Sequence, residues 1–172
     1  KDEANACVLS TVSELSIPSS RVVLLKEVNE ESFIFFTNYT SNKAKDIEHN
    51  NNVALNFYWP ELERQVRING IAKKILAKDS DIYFKGRPLE SQMGALVSEQ
   101  SEIIRLDYNF SDSLNKLESK FKGKEIERPI YWGGYSIVPV RVEFWQGRPS
   151  RLHDRLVYES DGKIWHKKRL AP

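Results

Sequence analysis

Apolar residues in the first third of the chain recur at strand spacing. Residues 6–12 (ACVLSTV) are apolar and β-prone, and residues 16–20 around Pro18 read as a turn-like break. Residues 21–28 (RVVLLKEV) are almost continuously apolar, which predicts a strand buried on both faces. Residues 32–37 (SFIFFT) predict the next strand, joined to it by the polar turn 29–31 as an antiparallel hairpin. Residues 41–47 open a helix with Ser41 as its cap, fading in the asparagine run 50–52. Residues 53–59 (VALNFYW) form a strand stopped by Pro60. Residues 63–75 alternate, with Val66, Ile68 and Gly70 on one face and Gly70 marking a bulge or bend.

The middle of the chain is helical in pattern. Helices are expected at residues 79–85, 89–100 (Pro88 near the first turn) and 111–121, the last with Ser111 as cap. Residues 122–129 form a charged linker. In residues 135–146 (YSIVPVRVEFWQ), Val138, Val140, Val142 and Phe144 share a face, and Pro139 predicts an edge position or a bulge. Residues 151–159 and 163–170 read as a closing hairpin about Ser160-Asp161-Gly162. Strands, a helix, strands, helices and strands again, in a chain this short, predict a mainly β (α+β) fold. The expected form is a barrel or curled sheet with peripheral helices, one domain over residues 1–172.

Composition narrows the classes. A net charge of +2 without a basic run gives no footprint for nucleic acid. Cys7 is the only cysteine, which excludes an internal disulfide and a multi-cysteine metal site and fits a reducing, cytoplasmic compartment. No apolar run approaches the ~20 residues of a membrane helix. The polar start carries no signal-peptide pattern, and because it begins at Lys1 a preceding piece is expected. His49, His153 and His166 have no metal spacing, so no metal is expected. Phosphate loops of the GxGxxG and GxxxxGK[ST] types and a GxSxG elbow are absent.

Four residue sets carry candidate chemistry. Arg151, His153 and Arg155 lie two apart, so on a strand they share one face, and an anionic partner would explain three cations side by side. A solvated strand face beside Asp154 explains them as well. Tyr83 and Arg87 share a helix face, with Ser91 just beyond Pro88. Two hydroxyls and a guanidinium suit a phosphate, and a surface Arg beside a half-buried Tyr is the plainer reading. Arg21 and Lys26 bracket an apolar strand near Thr37, Ser41 and Lys43, where a helix N-terminus and an ammonium could cradle phosphate. Strict alternation puts Arg21 and Lys26 on opposite faces, so a shared site needs a bulge or bend. Gln65, Gln100, Ser101 and Trp145 offer the amide edges and apolar wall that a flavin ring uses, although surface glutamines and a core tryptophan look the same in sequence.

Taken in order, these blocks resemble the pyridoxamine 5'-phosphate oxidase family from about Ala6 onward. The resemblance rests on Arg21-Val-Val-Leu-Leu-Lys26, Phe36-Thr37-Asn38, Glu63-Arg-Gln65-Val66, Tyr83-Phe-Lys-Gly-Arg87-Pro88-Leu-Glu-Ser91-Gln92, Val97-Ser-Glu-Gln100-Ser101 and Trp132-Gly-Gly-Tyr135. Glu143-Phe-Trp145-Gln-Gly147, Arg151-Leu-His-Asp-Arg155 and the terminal Arg169-Leu-Ala-Pro172 complete it. It implies an FMN-binding split β-barrel and a homodimer with two FMN sites at the subunit interface, residues 129–172 supplying dimerisation and active-site strands. It implies FMN contacts from Arg21, Val22, Val23, Leu24, Leu25, Lys26, Phe36, Thr37, Asn42, Lys43, Gln65, Gln100, Ser101, Trp145 and Arg155. Lys26, Tyr83, Arg87 and Ser91 would hold the substrate phosphate or its surroundings, and Arg151 and His153 would lie over the pyridine ring as catalytic residues. The implied reaction oxidises pyridoxamine or pyridoxine 5'-phosphate to pyridoxal 5'-phosphate, with O2 reduced to H2O2. A carrier of pyridoxal 5'-phosphate or flavin on the same fold, and a split-barrel flavin protein with another substrate, are the alternatives. One departure stands out. The family commonly shows Ser-Arg-Lys where this chain has Ser41-Asn42-Lys43, a loss of about 1.5–3 kcal/mol of FMN contact at most.

Overall fold

The computed structural model describes residues 3–122 and 124–172. Strand β1 (Ala6–Val12) pairs antiparallel with β2 (Pro18–Leu24), Val12 facing Pro18. The break expected over residues 16–20 is therefore shorter. Pro18 opens the strand at a sheet edge, where its missing N–H costs no ladder bond. Nor is the 21–28 run a strand buried on both faces. As the edge strand, β2 leaves Val22 66% exposed, while Val23 packs against the core and Leu25 beyond the strand enters it. The expected hairpin with the next strand survives only as β3 (Glu27–Val28) against β4 (Phe33–Asn38).

The sheet continues through β5 (Asn52–Trp59), β6 (Arg64–Lys74), β7 (Trp132–Gln146), β8 (Asp154–Ser160) and β9 (Trp165–Arg169). Its order is β2-β1-β5-β6-β7-β4-β3, with β8 on β7 and β9 on β8. Leu25 and Lys26 alone connect one edge, β2, to the other, β3, and the Lys26 N–H donates to Ile34 O at 2.8 Å. A sheet whose edges are joined by two residues must curl onto itself, and the seam between those edges is the split of a half-barrel. Leu9, Phe35, Leu55, Ile68, Tyr135 and Ile137 fill the interior, each at most 1% exposed. Burial of each such aliphatic or aromatic side chain contributes about 1.5–3 kcal/mol.

Strand β7 organises the rest. β4 flanks its residues 132–137 and β8 its residues 141–146, so Pro139 falls in the gap between two neighbours. On the β6 side the register shifts at Asn69/Gly70. Both expectations for Pro139, and the bulge at Gly70, are present. A Cβ at Gly70 would lie 2.6 Å from Val138 O and 2.7 Å from Ile137 Cγ2. Gly70→Ala is expected to lower stability by about 1–3 kcal/mol, the usual cost of overpacking. The change would read as a lower urea midpoint at constant m-value. The register shift breaks the shared face expected of Val138, Val140, Val142 and Phe144. Val142 and Phe144 follow the face of Ile137, while Val138 lies on the opposite one with Glu143 and Trp145, and Val138, Val140 and Phe144 are 37%, 42% and 47% exposed.

Helix α1 (Asn42–His49) follows Ser41, whose Oγ donates to Asn38 O at 2.7 Å instead of capping the helix. Helices α2 (Ala77–Lys85) and α3 (Leu89–Val97) pack Phe84 and Met93 around Trp132 and Ile126. α3 ends before residue 100 because the following loop turns toward α1. α4 (Phe110–Phe121) is capped by Asn109, whose side chain accepts from the Ser111 N–H, so Ser111 is not the cap. The last hairpin turns at Ser160↔Trp165 with Gly162 at φ +90°. Its first strand begins at Asp154 rather than 151, because Pro149–Arg151 forms a 3-10 turn with Ser150 and Arg151 at φ +57° and +61°. Arg151, His153 and Arg155 therefore do not share a strand face. Among the described residues no helix is long and apolar enough to cross a membrane.

Candidate active site

The seam of the half-barrel opens into a cleft of about 900 Å³, a volume suited to a small-molecule ligand. β2 supplies Arg21, Val22, Val23 and Leu24, and the crossing between the sheet edges supplies Lys26. β4 adds Phe36 and Thr37, α1 adds Asn42 and Lys43, and the α2–α3 region adds Tyr83, Arg87 and Ser91, with Gln100 and Ser101 beyond it. Among the described residues four cations line this cleft and no carboxylate does. Arg21 and Lys26 meet here because the strand ends at Leu24, which is the bend that strict alternation demanded. Leu25 differs from its neighbours. It is 8% exposed and packs in the barrel core.

Lys43 is the buried centre of one end. Its Nζ donates to Gln100 Oε1 at 2.8 Å, to Thr37 Oγ1 at 3.2 Å and to Ser41 Oγ at 3.2 Å. These partners are neutral, so they solvate the ammonium without balancing it. Burial, reinforced by Arg21, pulls its pKa down from 10.5 to about 8. Arg21 donates to Thr11 Oγ1 at 2.6 Å and pairs with Asp46 at 3.6 Å. The Asn42 N–H at the start of α1 donates to Ser101 Oγ at 3.2 Å, with Ser101 held at φ +76°. A helix N-terminus, a buried ammonium and a guanidinium together make an anion site.

The other end is built on stacked rings. Phe36 lies against Tyr83 with centroids 3.7 Å apart and against Trp132 at 5.4 Å. The Arg87 guanidinium lies over Trp132 at 4.6 Å. Its Nη1 is buried without a hydrogen-bond partner. Such an orphaned donor costs about 1–3 kcal/mol, a cost expected where a ligand completes the set. Burial lowers the Arg87 pKa and raises that of Tyr83.

The remaining candidates gather elsewhere. Gln65, Trp145 and Arg155 sit in one row across β6, β7 and β8, paired as Gln65↔Trp145 and Trp145↔Arg155. His153 packs on Trp145 with ring centroids 4.7 Å apart, and its Nδ1 accepts the Arg148 N–H at 3.1 Å. Arg151 is exposed in the 3-10 turn. Phe36 pairs with Gly134, eleven residues before Trp145 on β7, so the two groups lie about 36 Å apart along the strand at ~3.3 Å per residue. One small molecule in one chain does not reach both.

Several contributors lay outside the sequence reading. Trp132 and Phe84 carry Arg87, Asp46 anchors Arg21, and Ser19 and Ser20 line the cleft. Sequence spacing carried no signal for them, since their contacts cross between distant elements. Glu143, 1% exposed in the middle of β7, gives no sign of that burial in the sequence.

A curled antiparallel half-barrel with an anion-binding cleft at its seam defines a protein of the FMN-binding split-barrel class. A family model described as pyridoxamine 5'-phosphate oxidase matches residues 1–110. A second, described as the pyridoxine 5'-phosphate oxidase C-terminal dimerisation region, matches residues 132–172. Pyridoxine/pyridoxamine 5'-phosphate oxidase 2 of Hydrogenovibrio crunogenus is 54% identical over 170 residues, covering 99% of this chain and 80% of the relative. Pyridoxine/pyridoxamine 5'-phosphate oxidase of Haemophilus influenzae is 54% identical over 173 residues, covering 99% and 81%. PhzG from Burkholderia lata, solved with tetrahydrophenazine-1-carboxylic acid, superposes with a TM-score of 0.93 at 28% identity, covering 98% of this chain and 83% of that one. The chain belongs to the pyridoxamine 5'-phosphate oxidase family and is an enzyme of that family.

Proposed function

We propose that the protein oxidises pyridoxamine 5'-phosphate and pyridoxine 5'-phosphate to pyridoxal 5'-phosphate in a homodimer whose two sites each combine residues from both chains. The observation that carries this reading is the cleft itself: among the described residues, four cations without a carboxylate, and a buried Arg87 Nη1 that lacks a partner. The residues present fit FMN. Arg21, Lys43, Thr37, Asn42, Gln100 and Ser101 would hold its phosphate end, and Val22 to Leu24, Lys26 and Phe36 would line the path of the remainder. Bound FMN would supply a two-electron acceptor that O2 restores, giving H2O2.

The chain's own groups do the rest. Lys26, Tyr83, Arg87 and Ser91 would clamp the substrate phosphate, using its binding energy to fix the ring. Gln65, Trp145 and Arg155 of the second chain would complete the flavin site, with Arg151 and His153 over the pyridine. Because His153 Nδ1 accepts a backbone N–H, the neutral imidazole carries its proton on Nε2. In that tautomer His153 donates a hydrogen bond to the reacting substituent through Nε2 and does not take a proton there.

Lys43 gives the pH dependence. The phosphate is dianionic above pH ~6, and Lys43 loses its proton near pH 8. FMN affinity is expected to hold level between those values and fall above pH 8, with Lys43→Met removing the upper limb in a fluorescence titration. Stability runs the other way. The unfolded chain keeps this proton to 10.5, so burying the ammonium destabilises the free protein below pH 8, and that penalty disappears as pH rises toward 10.5. Asn42 lacks a charge at the start of α1, and Asn42→Arg is expected to tighten FMN by up to about 1.5–3 kcal/mol.

The direct test follows pyridoxal 5'-phosphate formation by FMN-loaded protein in air. The likeness to PhzG favours one second reading, oxidation of a heteroaromatic without phosphate. That activity would survive loss of Arg87. A non-catalytic carrier would bind its ligand and form no product.

A further inference from the structure

We infer that Glu143 is a positioning residue for the flavin site, holding the Arg155 guanidinium in place for its ligand. The inference rests on the function proposed above. Glu143 lies one row behind Gln65, Trp145 and Arg155 on the same face of the sheet, two residues from Trp145 along β7. Its side chain is 1% exposed, yet it carries a charge. A carboxylate is almost never fully buried unless paired, and here three arginines surround it. Arg155 Nε and Nη2 both reach Glu143 Oε1 at 2.8 Å. Arg141 Nη2 reaches Oε2 at 2.8 Å, and Arg67 Nη1 reaches Oε2 at 3.4 Å.

The division of contacts identifies the role. Arg67 is 49% exposed and Arg141 also pairs with Glu159, so neither depends on Glu143 for its position. Among the described residues Arg155 has no second carboxylate, and its one other side-chain hydrogen bond fixes the opposite side of the fork, Nη1 donating to Ala171 O at 3.0 Å. Between Glu143 and that carbonyl the guanidinium has one orientation, with outer Nη hydrogens left for an acceptor. Burial alone would push the Glu143 carboxyl up, but the hydrogen bonds from Arg155 and Arg141 outweigh it and hold it below the usual carboxylate range. The anchor therefore stays charged at neutral pH.

A double-mutant cycle on the full chain tests this, with FMN affinity read by flavin-fluorescence titration and folding by thermal midpoint. In otherwise unchanged protein, Glu143→Gln is expected to weaken FMN binding about tenfold or more. In an Arg155→Ala background the same change is expected to weaken it less than about twofold, because its effect passes through Arg155. Equal weakening in both backgrounds, or none in the first, overturns the role. A purely structural Glu143 would lower the thermal midpoint and affinity alike whether or not Arg155 is present. If Glu143→Gln does not fold, Glu143→Asp keeps the charge, and the same cycle is expected to show a smaller loss confined to the Arg155 background. Parent protein that binds no FMN removes the function reading itself. Parent protein that binds FMN alongside an unaffected Glu143→Gln removes only the positioning role.

Discussion

Val140→Asp is expected to yield single chains that retain no flavin and form no product. Val138 and Val140 are exposed where the bulge turns β7, and Phe144 further along the strand lines a hollow with Phe33, Pro139, Tyr158 and Trp165. An exposed apolar patch of this kind marks an association surface. It lies in the region matched by the dimerisation model. An unpaired carboxylate buried there costs about 3–5 kcal/mol at each of the two copies of the contact. In the proposed dimer each site joins the cleft of one chain to the Trp145 row of the other, so a separated chain would hold half of each. Activity should fall at least about 100-fold, the scale of one such penalty. Light scattering after gel filtration and the flavin absorbance of the eluted protein check both parts. A flavin-bearing, active monomer would contradict the composite site.

Arg87→Met is expected to separate function from stability. The guanidinium stacks on Trp132 and leaves Nη1 buried and unpartnered. Replacing it with an apolar side chain of similar length removes that unpaired donor, so the free protein should keep or gain about 1–2 kcal/mol. Phosphate binding should suffer in the opposite direction. Two charge-assisted hydrogen bonds at about 1.5–3 kcal/mol each correspond to a loss of at least ~100-fold in kcat/KM for both phosphorylated substrates. Urea denaturation gives the first number and steady-state kinetics the second. A variant that is destabilised yet catalytically intact would assign Arg87 to packing alone.

The parts of the molecule legible in the sequence are those decided locally. The alternation through β5, β6 and β7 marked strands, and Gly70 and Pro139 marked the bulge where β7 changes neighbours. The spacing of Tyr83, Arg87 and Ser91 anticipated a group that lines one cleft. What failed depended on partners far along the chain. The run 21–28 is apolar because it lines a cleft and ends in the barrel seam, and burial between strands looks the same in sequence. Arg151 left the strand because Pro149 starts a 3-10 turn, a choice between two turn geometries that alternation does not record. Ser111 lies two residues beyond the true cap, Asn109, and its N–H is the donor that cap receives. Glu143 appeared as one more charge in an alternating strand, and only the register of β6, β7 and β8 reveals three arginines around it.

The central claim, that this cleft oxidises phosphorylated B6 compounds at a flavin, meets its most direct test in one absorbance experiment. Purified protein is loaded with FMN, and pyridoxine 5'-phosphate or pyridoxamine 5'-phosphate is added first without air and then with it. The account predicts bleaching of the oxidised flavin band on substrate addition, its return on admitting air, and accumulation of pyridoxal 5'-phosphate over many turnovers. A flavin band that neither substrate bleaches, with no pyridoxal 5'-phosphate formed in air, would contradict it.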